Sequence, residues 1–318
     1  MRGRMLAIGV ALVLGGYLAA GYARSSQWIG NHPEWRKLKA SPSDYGLRSQ
    51  LVSFPSTDGI ALKAWWLPVQ NETGSVAQRR SGFLPSIILA HGRDDNRSGM
   101  LPRAAFLVRN GYNVLDLDLR NHGESEGNYV TPGYLEALDV VGGVDFLRSQ
   151  GERGPIGVLG FSYGAVAGLH AAVRTREILA VVADSAFISN TDLRARVAHS
   201  SQVPLKSRVR AWLGEIPLLD SASDLIFRLR TGVKLSGEEV DSLSAIDRIT
   251  DRPILFVSGE HDWMAPPENA RRMYERAQHS QKALMIVPGA GHNESYTGAR
   301  EEYERQVIGF FRKALGVS

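Results

Sequence analysis

Beyond Pro85 the sequence alternates between short apolar runs and segments with helical spacing, and this alternation limits the possible folds more than any other feature. PSIILAHG is a continuous apolar run of the kind a strand buried on both faces shows. NVLDLDL, PIGVLG, ILAVVAD, PILFVSG and ALMIVPG follow as further strands. MLPRAAFLVRNGY, TPGYLEALDVVGGVDFLRSQG and AVAGLHAAVRT, which lie between the earlier runs, carry apolar or small residues at helical spacing. Strand and helix in alternation predict an α/β fold, a mostly parallel sheet covered on both faces. Upstream, LVSFPSTDGIALKAWWLP reads as a hairpin turning at Asp58 and Gly59. Residues 187–245 break the rhythm with helical segments such as RVRAWLGEI and DLIFRLRTG and no convincing strand. An insertion of that kind between two strands, at their C-terminal edge, is expected to form a helical cap over the ligand crevice. The core is thus expected at 51–186 and 246–318, with a polar, Pro-containing connector at 24–50.

Two stretches match G-x-S-x-G, GESEG at 123–127 and GFSYG at 160–164. A serine nucleophile on this motif needs a strand running in and a helix running out, so that its hydroxyl stands exposed on a strained turn. GFSYG has both, PIGVLG before it and AVAGLHAAV after it, which selects Ser162. GESEG is followed by Pro132 and Gly133 rather than a helix, and Glu124 and Glu126 would oppose a developing oxyanion. It reads as a surface loop, with Ser125 solvated or capping.

A serine hydroxyl needs a base, and the base needs an orienting group. Among eight histidines, His292 lies on the Gly-rich loop just after the last strand, within MIVPGAGHNES. His170 falls inside a helix of small residues and reads as core or surface, and His261, in a strand-end loop, reads as structural. Asp262 ends PILFVSGEHD, and Asp184 ends LAVVAD at another strand tip. Both fit the order Ser, Asp, His; Asp262 is the assigned acid and Asp184 its rival. The oxyanion donors are expected to be the backbone N–H groups of Tyr163, next to the nucleophile, and of Arg93, in the ILAHGRDDN loop, with His91 shaping that loop.

Cysteine is absent from all 318 residues, which removes disulfides, thiol catalysis and thiolate metal sites. The net charge of +4 comes without zinc-ligand spacing, an RNP-like aromatic motif or a long Lys/Arg block, so nucleic acid is not an expected partner. Met5 to Ala23 contains no charged residue and follows Arg2 and Arg4. As a helix it would be about 28 Å long, enough to cross a hydrocarbon layer, with the preceding arginines held in the cytoplasm. Gly21 and Ala23 also suit a cleaved signal peptide, and either of these readings puts the body outside the cytoplasm; a buried core helix is the remaining reading. In the insertion, Arg194, Arg196, Lys206, Arg208 and Arg210 beside Trp212 and Leu213 suggest a face for anionic lipid, and a solvated helix face is the competing reading.

STDGIALKAWWLP, ILAHGRDDNR, LDLDLRNHGESEG, LGFSYGA, SGEHDWMAPP and VPGAGHNE, in this order, resemble the α/β-hydrolase superfamily. Within it the chain is most similar to the serine-aminopeptidase-like and BEM46-like hydrolases, which often carry one N-terminal anchoring helix. The resemblance spans about residues 51–318 and implies the α/β-hydrolase fold, a twisted, mostly parallel sheet of about eight strands with a helical cap, and a Ser-His-Asp triad that needs neither metal nor cofactor. The loop after His91 and Gly92 departs from the Gly-rich form of many relatives, having Arg93, Asp94 and Asp95. The expected chemistry is hydrolytic acyl transfer on a small-molecule substrate, by default a carboxylic ester and possible in lipid-like form; amide or thioester cleavage is the alternative. A non-catalytic scaffold of this type typically lacks a triad member, and all three candidates are present here.

Overall fold

A computed structural model describes residues 15–23, 25–26, 28–70, 83–201, 217–233 and 240–316, with isolated positions between them. The strands are β1 (Gln50–Pro55), β2 (Ala61–Leu67), β3 (Ser86–Ala90), β4 (Asn113–Asp118), β5 (Ile156–Phe161), β6 (Ile178–Asp184), β7 (Ile254–Gly259) and β8 (Ala283–Val287). They form one eight-stranded sheet in the order β1-β2-β4-β3-β5-β6-β7-β8. The β1–β2 hairpin is antiparallel and β2 joins β4 antiparallel, while every other pairing is parallel. The α/β expectation therefore holds, hairpin included.

Period-two alternation divides the buried strands between two apolar layers. Ile88, Val158, Val181 and Phe256 face one layer, while Ile87, Leu89, Leu159, Val182 and Leu255 face the other. The first layer is completed by α2 (Glu136–Ser149), α3 (Tyr163–Arg174) and α7 (Pro267–Arg276), the second by α1 (Leu101–Arg109) and α8 (Arg300–Leu315). Full burial of each such Ile or Leu contributes about 2 kcal/mol, so the central strands hold the sheet together from both faces.

Between β6 and β7 lie α4 (Asn190–His199), α5 (Pro217–Thr231) and α6 (Ser242–Arg248), and no strand occurs among the described residues there. Arg194 is buried and Arg196 pairs with Asp192, so these two of the basic residues named for a lipid face are already engaged within the protein. Lys206, Arg210 and Leu213 lie outside the described residues, whereas Trp212 is exposed.

Residues 1–14, and with them much of the Met5–Ala23 run, also lie outside the described residues. Residues 15–23 are helical, and no helix among the described residues is long and apolar enough to cross a membrane. The connector is no free tether, because Trp28 and Trp35 are buried.

Of the two places open to His170, core and surface, the structure shows the core. It lies on α3, its Nε2 hydrogen-bonds the Val240 carbonyl at 3.1 Å, and Tyr134 meets it edge-on. Burial, with Arg174 adding to it, pushes this imidazole down to about 4. An unfolded chain takes up that proton near pH 6.5, so the neutral, buried state stabilises the fold fully above about 6.5 and this contribution is lost as pH falls toward 4. His170→Gln, which keeps a donor for Val240, is expected to flatten the loss of denaturation free energy between pH 6.5 and 4 by about 2 to 3 kcal/mol. Parallel pH profiles for the two proteins would contradict this.

Candidate active site

The strand order reverses direction at β3: β4 lies on one side of it and β5 on the other. Ligands of open α/β sheets bind beyond the C-terminal strand ends at such a switch point. In the β3–β5 ladder Ala90 lies opposite Gly160, so the His91–Gly92 turn and Ser162 leave the sheet side by side.

Ser162 joins β5 directly to α3 and has φ 51°, ψ −113°, a left-handed conformation that a residue with a side chain adopts only under constraint from its surroundings. The constraint comes from close packing. A Cβ on Gly164 would fall 2.0 Å from the Ala90 carbonyl oxygen, and one on Gly160 would fall 2.1 Å from the Gly164 carbonyl oxygen. Both motif glycines are thus required for α3 to start against β3. Ser162 donates its own N–H to the Asp184 carbonyl at 2.8 Å, which pins the turn to β6.

His292 reaches this serine from the loop after β8, its Nε2 lying 3.2 Å from Ser162 Oγ. Its Nδ1 lies 2.9 and 3.0 Å from the two carboxylate oxygens of Asp262. A carboxylate only accepts, so Nδ1 carries the proton and Nε2 is left as an acceptor facing the hydroxyl. Asp262 is buried and held in turn, Oδ1 accepting the N–H groups of Met264 at 3.0 Å and Ala265 at 2.8 Å. Phe161 packs on the His292 ring at 5.2 Å and limits its rotation. Such a chain of contacts can move a proton from serine to imidazole while the carboxylate stabilises the resulting cation.

The rival carboxylate has other partners. Asp184 Oδ2 accepts from Arg103 and from the Tyr303 hydroxyl, each at 3.0 Å, in a fully buried cluster behind the sheet edge. Between the two candidates, the geometry brings Asp262 to His292 and gives Asp184 a structural pairing. His261 is exposed on its loop and donates its backbone N–H to the Ala290 carbonyl.

Ser125 corrects a sequence expectation. It is fully buried rather than solvated: its hydroxyl donates to the Asp118 carbonyl at 2.7 Å and accepts the Lys63 N–H at 2.9 Å. It ties the β2 and β4 ends together where ladder pairing stops.

Two backbone N–H groups flank Ser162. Tyr163 is the first residue of α3, where N–H groups lack partners inside the helix and the helix dipole favours negative charge. Arg93 follows Gly92, and a Cβ on Gly92 would fall 3.5 Å from Ser162 Cβ, which sets this loop against Ser162. His91 orders the loop: its Nε2 accepts the Leu119 N–H at 3.0 Å, so its Nδ1 donates to the Gly92 carbonyl at 2.7 Å. Sequence reasoning missed the aromatic residues around this loop. Trp28, Trp35 and His122 surround it, and the one signal for them was two tryptophans in a segment that otherwise read as a polar connector.

Comparison with known proteins shows what the chain is similar to. The family model described as serine aminopeptidase, S33, matches residues 85–294. The uncharacterised protein YqkD of Bacillus subtilis is 32% identical over 231 residues, covering 71% of this chain and 70% of that protein. The uncharacterised protein YfhR of Escherichia coli K12 is 26% identical, covering 84% and 82%. Among solved structures, the Pyrococcus furiosus esterase Pf2001 superposes with a TM-score of 0.69 at 26% identity, covering 90% of this chain and 98% of the esterase.

Proposed function

Because this chain belongs to the serine aminopeptidase, S33, family of α/β hydrolases, we propose that it is a serine hydrolase that cleaves carboxylic esters through an acyl-enzyme. The observation that carries the reading is the unbroken contact chain from Ser162 Oγ through His292 to Asp262. Ser162 Oγ attacks the ester carbonyl carbon as His292 Nε2 takes its proton. The tetrahedral oxyanion is held by the N–H groups of Tyr163 and Arg93. The C–O bond to the alcohol then breaks, with His292 returning the proton to the leaving oxygen. Water, deprotonated by the same imidazole, attacks the acyl-enzyme and releases the acid and a regenerated Ser162. Each oxyanion donor of this kind is worth on the order of 3 kcal/mol of barrier.

Esters are preferred to amides because the esterase of Pyrococcus furiosus is similar over nearly the whole of both chains. Exposed Leu225 and Leu229 on α5, near the exposed Tyr22 of the N-terminal helix, support contact of this face with a membrane or a lipid-like molecule. Initial rates on p-nitrophenyl esters of rising acyl length, against amino-acid p-nitroanilides, test the reading. Ester cleavage at least tenfold faster is expected; anilides cleaved as fast as esters would overturn the ester assignment.

A further inference from the structure

Two tryptophans upstream of the sheet close on the side chain of Arg93. The guanidinium carbon stands 4.5 Å from the Trp28 ring centre, 5.4 Å from that of Trp35 and 6.0 Å from that of Tyr163. These are cation–π distances, and with Trp28 and Trp35 only 3% and 4% exposed and the Arg93 side chain 26% exposed, the contact is largely shielded from water. Trp35 also reaches the backbone of the same loop. Its ring stacks on His122 at 4.9 Å, His122 meets His91 edge-on at 4.9 Å, and His91 holds the Gly92 carbonyl. The Gly92 carbonyl and the Arg93 N–H are opposite ends of one planar trans peptide unit, so fixing the carbonyl aims the N–H.

The loop needs such a grip. Asp94, immediately after Arg93, has φ 63°, a left-handed conformation that Asp tolerates better than most residues but still at a cost, and its carboxylate stands 3.2 Å from the Arg93 Nε. The gripping segment is itself fixed. The guanidinium of Arg36 donates to the carbonyls of Gly123 and Ser125, Asn96 Nδ2 donates to the carbonyls of Trp35 and Lys37, and the Val130 N–H donates to the Trp28 carbonyl. Further upstream, the helix at 15–23 lies on α5: a Cβ on Gly21 would fall 2.9 Å from Ala222 and Ile226, and Arg230 covers the Tyr22 ring at 4.7 Å.

We propose that Trp28 and Trp35 are positioning residues that set the Arg93 N–H as an oxyanion donor, which makes the N-terminal segment a working part of the active site. This rests on the serine-hydrolase reading. A displaced donor weakens only the transition state, so kcat falls while KM holds.

The test uses the full chain and p-nitrophenyl acetate. Trp28→Ala and Arg93→Ala are each expected to lower kcat by about tenfold to a hundredfold with KM within about twofold. Trp28→Phe, which keeps an aromatic face over the guanidinium, is expected to restore most of the loss. In the Arg93→Ala background, Trp28→Ala is expected to cost little more, since both act through one group. A folded Trp28→Ala protein with full kcat overturns the proposal, as do losses that simply multiply in the double variant. Should Trp28→Ala not fold, Arg93→Ala decides alone: wild-type kcat overturns the proposal, and a lowered kcat partly restored in Arg93→Lys supports it. A wild-type protein inert to both the ester and a fluorophosphonate overturns the serine-hydrolase reading itself, whereas a reactive wild type with an indifferent Trp28→Ala overturns this inference alone.

Discussion

Ser162→Ala is expected to lower kcat for ester hydrolysis by about a millionfold, leaving the small rate that binding and the oxyanion donors sustain without a nucleophile. The fold should tolerate the change. The Ser162 hydroxyl faces His292, while the turn itself is held by the Ser162 N–H on the Asp184 carbonyl and by the Gly160–Gly164–Ala90 packing. Ser125→Ala is the matched control. Its hydroxyl bridges the Asp118 carbonyl and the Lys63 N–H in a buried position, so its removal is expected to cost about 1 to 2 kcal/mol of stability and to leave kcat unchanged. Initial rates and denaturant titrations of the two variants separate these effects. A comparable loss of kcat in Ser125→Ala, or substantial turnover in Ser162→Ala, would contradict the account.

The second large effect is expected at Asp262. In Asp262→Asn the carboxylate that now receives the His292 Nδ1–H becomes an amide whose NH2 group competes for the same nitrogen and stabilises the tautomer with Nε2 protonated. An imidazole in that tautomer cannot take the serine proton, and kcat is expected to fall by about ten-thousandfold. Asp184→Asn separates chemistry from architecture. It leaves the buried Arg103 without its counter-charge, which is expected to cost about 3 to 5 kcal/mol of stability. The protein that remains folded should keep its kcat. Steady-state rates beside melting curves check both; a stable, inactive Asp184→Asn would reverse the roles assigned to the two aspartates.

What could be read in advance follows from the range of each interaction. The strand running into GFSYG and the helix running out are local patterns, and parallel pairing then carries Ser162, Asp262 and His292 to one sheet edge because each follows the C-terminal end of its strand. The choice between Asp262 and Asp184 was not local. It depends on Tyr303, 119 residues from Asp184, and on Arg103 from α1, neither of which any periodicity connects to that aspartate. The burial of Ser125 is not legible for a related reason: polar composition around it suggests exposure, whereas its loop folds back under β2 and pairs Glu126 N–H with the Ala61 carbonyl. Trp28 and Trp35 lie in a segment without strand or long-helix periodicity, so their contacts with Arg93 and His122 appear only once the chain is folded.

The most direct measurement is site mapping of a fluorophosphonate adduct on the folded full-length protein by peptide mass spectrometry. The account predicts one adduct, on the peptide that contains Ser162, formed by the native protein and lost when His292 is replaced by alanine. No adduct on the native protein, or an adduct on another serine such as Ser125, would contradict it.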